Sequence, residues 1–173
     1  MKKNYAYRAA LSGILCALAI ALSFLESLLP SIPFLPPGAK PGFSNIITMF
    51  AASSLAVPDL FLIIITKSAF VFVTRGATAA AMSLSGGILS GIAMFLLFRF
   101  CKDKLGITGI SVISALCHNA GQLLTSALLT GTSKTLYYAP FLAIFAIITG
   151  TLSGVIFKAV LPLAEKQKKY FMR

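Results

Sequence analysis

Apolar runs long enough to cross a bilayer recur from one end of this 173-residue chain to the other, with little between them. A helix must carry about 20 apolar residues to cross ~30 Å of hydrocarbon, or somewhat fewer if it leans against protein. That rule sets six spans, at about 8–29, 43–57, 59–75, 79–100, 107–130 and 137–162. The chain is 58% hydrophobic and 11% charged, against about a quarter charged in a soluble domain. The reading is one all-α polytopic membrane domain over residues 1–173, with no room for a soluble unit. The second and third spans are short and meet at Val57-Pro58-Asp59. Pro58 suits a first helical turn and Asp59 a helix N-terminus. A re-entrant hairpin is the alternative for this pair.

A net charge of +11 raises the question of nucleic acid, but no basic stretch lies in a soluble context. The basic residues sort by side of the membrane instead. With six spans, Lys2, Lys3, Arg8, Arg99, Lys102, Lys104, Lys158, Lys166, Lys168, Lys169 and Arg173 fall on one side. Only Lys40, Arg75 and Lys134 fall on the other, and Lys67 lies within a span. The positive-inside rule then puts both termini in the cytoplasm and the chain in the cell membrane, surrounded by lipid. The basic start followed by an apolar core imitates a signal peptide. The apolar stretch runs on to about Leu29, however, which favours an uncleaved first helix. Cys16, Cys101 and Cys117 are isolated and suggest neither a disulfide framework nor a zinc site.

Polar residues gather in the outer half of the spans. Glu26 ends the first helix, Asn45 and Thr48 begin the second, Lys67 sits within the third and Arg75 ends it. Ser83 and Ser85 precede Gly86-Gly87 in the fourth. In the fifth, Ser111, Ser114, His118, Gln122 and Thr125 follow three- and four-residue steps, with Asn119 and Ser126 at the stripe's edge. A charge such as Lys67 costs about 2.5–3.5 kcal/mol at a helix centre, so such groups face a cavity or a partner. Glu26 is a candidate partner for Lys67 or Arg75. The pattern describes a solute cavity open to the outside; the plainer reading is a hydrogen-bond network that holds the bundle. The stretch from Pro30 to Gly42, with five prolines, is either a cap over the outer mouth or a rigid connector.

Small residues mark close contacts. Gly87-x-x-x-Gly91 and Gly150-x-x-x-Gly154 read as packing within the bundle. Ala9, Gly13, Ala17 and Ala21 recur every four residues from the cytoplasmic end of the first helix, and this longer stripe is a candidate external docking face. There is no Walker A sequence and no nucleophile elbow. The carboxylates are Glu26, Asp59, Asp103 and Glu165, scattered along the chain, so no Mg²⁺-diphosphate site is indicated. No enzyme activity, cofactor or metal is expected.

The pieces "PPGAKPGFSNIIT", "SLSGGILSGIAM" and "ALCHNAGQLLTSALL", in this order, resemble the Gx transporter family. That family is often labelled heptaprenyl diphosphate synthase component I, and it is grouped with the S components of energy-coupling factor (ECF) transporters. The resemblance covers nearly the whole chain and makes Lys40, Asn45, Gly86, Gly87, His118, Asn119 and Gln122 characteristic positions. It implies a six-helix S-component-like bundle that binds a small solute from outside and pairs with a coupling subunit and two ATPases. The helix 1 stripe would be the docking face. Together with the polar residues read above, the characteristic positions make the candidate solute site Glu26, Lys40, Asn45, Lys67, Arg75, Ser85, His118, Asn119 and Gln122. Proteins of this kind are associated with flavin-linked redox systems, which suggests a redox-related solute. The other class is an accessory subunit of a prenyl-lipid or redox system, with no solute of its own.

Overall fold

The computed structural model describes the backbone of residues 2–28 and 42–171 and the side-chain surroundings of residues 6, 8–28 and 42–162. Lys40 and nearly all of the proline-rich loop lie outside the described residues. Every element among those described is helical: α1 (Lys2–Leu28), α2 (Asn45–Ser54), α3 (Val57–Phe100), α4 (Lys102–Thr130), a 3-10 turn (Ser133–Tyr138) and α5 (Ala139–Phe171). Four stretches are long and apolar enough to cross a membrane: Arg8–Leu28, Val57–Phe100, Lys102–Thr130 and Ser133–Pro162.

α3 holds 44 residues and would run about 66 Å if straight, twice the hydrocarbon thickness. Instead it folds back at Gly76, whose φ of 85° and ψ of 176° lie in a region essentially restricted to glycine. Three contacts prove the reversal. Ser68 Oγ donates to Ser83 Oγ at 3.4 Å, Gly87 lies against Ile64, and Gly91 lies against Ile64 and Leu60. Each pair is almost equidistant in sequence from Gly76. The first limb is therefore 57–75 and the second 77–100. The sequence reading placed a longer break here, at 76–78; one glycine suffices.

The directions of the remaining segments follow from similar pairs. Ser12 Oγ donates to Asp59 at 3.0 Å, and Cys16 Sγ reaches Thr66 Oγ1 at 3.8 Å, so α1 runs parallel to the first limb of α3. α2 runs against α1, since Ser44 meets Glu26 while Met49 and Ala51 join Leu15 and Ala19 in one core cluster. Gly150 and Gly154 of α5 lie against Val112 and Thr108 of α4, an antiparallel pair brought close by missing side chains. Successive segments thus alternate in direction. Arg8, Asp59 and Lys102 fall at one end, and Gly76 and Gly131 at the other.

α2 corrects one expected boundary. Residues 43–57 were read as a span; the helix is Asn45–Ser54, ten residues, about 15 Å. It stops because Pro58 and Asp59 start the next helix. Asp59 accepts the N–H of Ala56 at 3.3 Å, as an N-terminal acid should. Arg8 holds the same carboxylate at 2.7 Å.

The molecule is apolar outside and polar within. Val73 is 83% exposed and Leu128 82%, while Lys67 is 3% exposed. One apolar cluster lies toward the Asp59 end, where Phe157 meets Phe50 and Phe98 edge-on at 6.4 and 6.3 Å. A smaller one, Met82, Leu123 and Leu142, lies toward the Gly76 end. Between these clusters is a belt of buried polar side chains that includes Glu26, Asn45, Lys67, Ser90, His118 and Gln122.

Candidate functional site

α1 supplies the belt from one face. Ser12, Leu15, Ala19, Ser23 and Glu26 are buried at three- and four-residue steps, the period of a helix stripe. Ala9, Gly13, Ala17 and Ala21 lie on the face that remains exposed, and a Cβ added at Gly13 would meet nothing within 4 Å.

Glu26 at the end of this stripe accepts the backbone N–H of Ser44 at 2.9 Å. Ser44 directly precedes α2, so the carboxylate satisfies a donor that has no partner inside that helix and sits at its positive end. One residue on, the Asn45 side chain accepts from Lys67 Nζ at 3.0 Å. Lys67 is thus held by a neutral amide, with no ion pair of its own among the described residues. Of the two cations expected for Glu26, Lys67 and Arg75, Lys67 instead bonds Asn45, while Glu26 bonds the turn that starts α2. Lys67 and Arg75 still act on the Glu26 carboxylate through space.

α4 crosses the second limb of α3 next to this turn. A Cβ at Gly121 would lie 2.8 Å from Gly86 Cα, and one at Gly86 would lie 2.8 Å from His118 O and 3.0 Å from the His118 ring. Two residues without side chains let the backbones touch and press the imidazole toward the α2 turn. Gly42 lies against the other side of that ring. Gln122, one turn further along α4, brings its Nε2 to 2.8 Å from His118 Nε2. His118 Nδ1 faces Ser90 Oγ at 3.5 Å. In this arrangement the Gln122 amide donates to Nε2, and its Oε1 is buried without a hydrogen-bond partner among the described residues. Thr48 Oγ1 and Ser114 Oγ share that condition.

These groups wall a cavity. Ser23 and Glu26 come from α1, Gly42 and Ser44 from the turn, Lys67, Val71 and Arg75 from the first limb of α3, Ala79 and Ser83 from the second, and His118 and Gln122 from α4. Between the described residues the space open to a water centre is about 20 Å³, room for a water rather than a vitamin. A second, neutral cavity of about 10 Å³ lies between the α2 turn, α4 and α5, lined by Ser111, Asn119, Thr149 and Ser153 among others. Gly42 and His118 line both cavities.

Of the residues named from sequence, Glu26, Lys67, Arg75, His118 and Gln122 line the first cavity, and Asn45 and Asn119 the second. Asn119 turns toward α5, where its Nδ2 donates to Leu142 O at 3.0 Å. Ser85 lines neither. It joins Gly121 O at 3.1 Å and accepts from Thr125 at 2.6 Å, tying α4 to α3. Lys40 lies outside the described residues. Gly42, Ser44 and Gly121 were not singled out. Gly121 had a signal, a small residue three positions after His118; Ser44 had none beyond adjacency to Asn45.

A model of the family described as heptaprenyl diphosphate synthase component I matches residues 15–160. No curated protein and no solved structure matches the chain.

Proposed function

The chain belongs to the heptaprenyl diphosphate synthase component I family, and from that premise we propose that it is the solute-binding subunit of an ECF-type transporter. It would capture a small vitamin-like or redox-related solute at the Gly76 end and pass it inward with a coupling subunit and an ATPase pair. The observation that carries this reading is the cavity. A carboxylate, an ammonium, a guanidinium, an imidazole and a carboxamide converge on one space inside a bundle whose surface is apolar. Groups this costly to bury in lipid are retained for a task. The orphaned Gln122 Oε1 supports the reading further, because of the three buried oxygens without a partner among the described residues it is the one whose residue lines the cavity.

A solute needs more room than the cavity has, so the walls part on binding. The wall that yields is the turn at 42–44. It is not helical, and two side-chain hydrogen bonds, Glu26 to Ser44 and Lys67 to Asn45, pin it and the first residue of α2. In this proposal the alternating segments are six membrane crossings, with the turn at 42–44 and α2 forming the second. Both termini lie in the cytoplasm, as the basic residues at the Asp59 end favour. The exposed small-residue face of α1 is where the coupling subunit docks, its bare backbone admitting a close helix approach.

The family description favours a second reading, a membrane accessory subunit of a prenyl diphosphate synthase that carries no solute. Neither reading assigns the chain catalysis of its own; the placement of Asp59 on Arg8 and of Glu26 on Ser44, near opposite ends of α1, supports that. The deciding experiment is denaturation of protein purified in mild detergent and analysis of what is released. A small molecule near one per chain is expected. Its absence, together with co-purification of a soluble prenyl synthase, gives the second reading.

A further inference from the structure

We propose that the cavity is an anion site. Its solute carries one anionic group, a carboxylate or phosphate monoanion, seated on Lys67, and a hydrogen-bond donor that meets Gln122 Oε1. This rests on the solute-binding reading and narrows it to a class of solute.

The charges at this level are countable. The whole chain has four carboxylates. Asp59 is bound to Arg8 at the far end of the bundle, Asp103 opens α4 at that same end, and Glu165 lies near the end of the chain. Residues 29–41 add Lys40 and no acid. Among the described residues Glu26 is thus the one carboxylate near Lys67 and Arg75. It has also committed Oε1 to the Ser44 N–H.

Lys67 is the group this leaves short. An ammonium has three donors, and its hydrogen bond goes to the uncharged Asn45 amide at 3.0 Å. It is 3% exposed, so bulk water and lipid headgroups are kept from it, and the cavity it lines has room for about one water. A buried ammonium bonded to a neutral amide, and sharing one nearby carboxylate with Arg75, keeps part of its desolvation cost. A monoanion in the cavity supplies the missing charge and balances the three groups. On the opposite wall, Gln122 Oε1 accepts from nothing among the described residues. A solute with an acidic end and a donor beyond it answers both deficits. An anion drawn to Lys67 also competes with Asn45, which loosens the first residue of α2 as the site fills.

The test uses the full chain in mild detergent as wild type, Lys67→Gln and Lys67→Arg, with native mass spectrometry of what each carries through purification. An acidic small molecule is expected on the wild type, with occupancy about tenfold to hundredfold weaker in Lys67→Gln and largely kept in Lys67→Arg. Lys67→Gln should melt no lower than wild type once stripped of solute, because it removes a buried charge. A neutral or cationic solute, a phospholipid, or equal occupancy in Lys67→Gln overturns the anion site and leaves the transporter reading standing. Where wild type carries nothing, melting with matched probes decides: nicotinate with nicotinamide, pantothenate with pantothenol. A stabilising shift from acidic members alone supports the site, and equal shifts within a pair overturn it. No shift from any probe removes the transporter reading along with it.

Discussion

Gln122 and His118 stand one turn apart on α4 with their side-chain nitrogens 2.8 Å apart, and the bond leaves the Gln122 oxygen without a donor among the described residues. The pair therefore looks in two directions: it fixes the imidazole and offers an acceptor to the cavity.

Gln122→Ala separates these roles. Loss of a buried hydrogen bond to the solute costs about 1–3 kcal/mol, roughly tenfold to hundredfold in affinity. Stability without solute should move by less than about 1 kcal/mol, because the bond lost to His118 is offset by removal of an orphaned oxygen. Melting curves with and without solute check this. A large drop in the unliganded protein with the full ligand shift retained would mean that Gln122 only supports the bundle.

Gly121→Ala should be far more damaging. Its new methyl would lie 2.8–2.9 Å from Gly86 Cα, Gly86 N and Ser85 O, all backbone atoms that cannot swing aside. Overpacking of this kind costs about 1–3 kcal/mol, and it pushes His118 off the α2 turn as the helices separate. Both thermal stability and solute affinity are expected to fall. Unchanged values for both would show that the crossing of α3 and α4 is looser than described.

The proposed crossings can be read by labelling. In a cysteine-free background, single cysteines at Ala77 and Lys134 should react with an impermeant reagent outside intact cells, and one at Lys102 only after the membrane is opened. All three sites are exposed. Reaction of Lys134→Cys and Lys102→Cys from the same side is incompatible with the alternating arrangement.

Ala17→Leu tests the bare face of α1. Ala17 is exposed, so the larger side chain should change stability by no more than about 0.5 kcal/mol. Solute binding should survive and capture of the coupling subunit should fail. Normal assembly of the Ala17→Leu variant would move the docking surface elsewhere.

Much of this was legible beforehand, for a simple reason: lipid imposes length and polarity on each segment separately. The bounds of the second limb of α3 and of α4 beyond Gly106 follow from apolar runs ended by glycine or charge, and the depth of Glu26, Lys67, His118 and Gln122 from their place along those runs. Partnerships between segments were not legible. Asn119 sits beside His118 in sequence yet points about 100° away around the helix, so its partner is Leu142 on α5. Charge alone offers Glu26 the cations Lys67 and Arg75; the Ser44 N–H that the turn before α2 brings to its carboxylate is visible only in the fold. The contact of Gly86 with Gly121 joins residues 35 positions apart (121 less 86), a distance no local period reports.

The ten residues of α2 carry a consequence for how the chain is made. Alone in lipid, a helix this short cannot keep its terminal N–H and C=O groups at the wet interfaces, and each group left unsatisfied in hydrocarbon costs several kcal/mol. What relieves α2 is Glu26 before it and the walls of α1, α3 and α5 around it, and most of those walls are synthesised after it. Residues 45–54 therefore owe their place to neighbours on both sides of them in the chain, and a chain cut before α5 would lack part of the wall that α2 packs against.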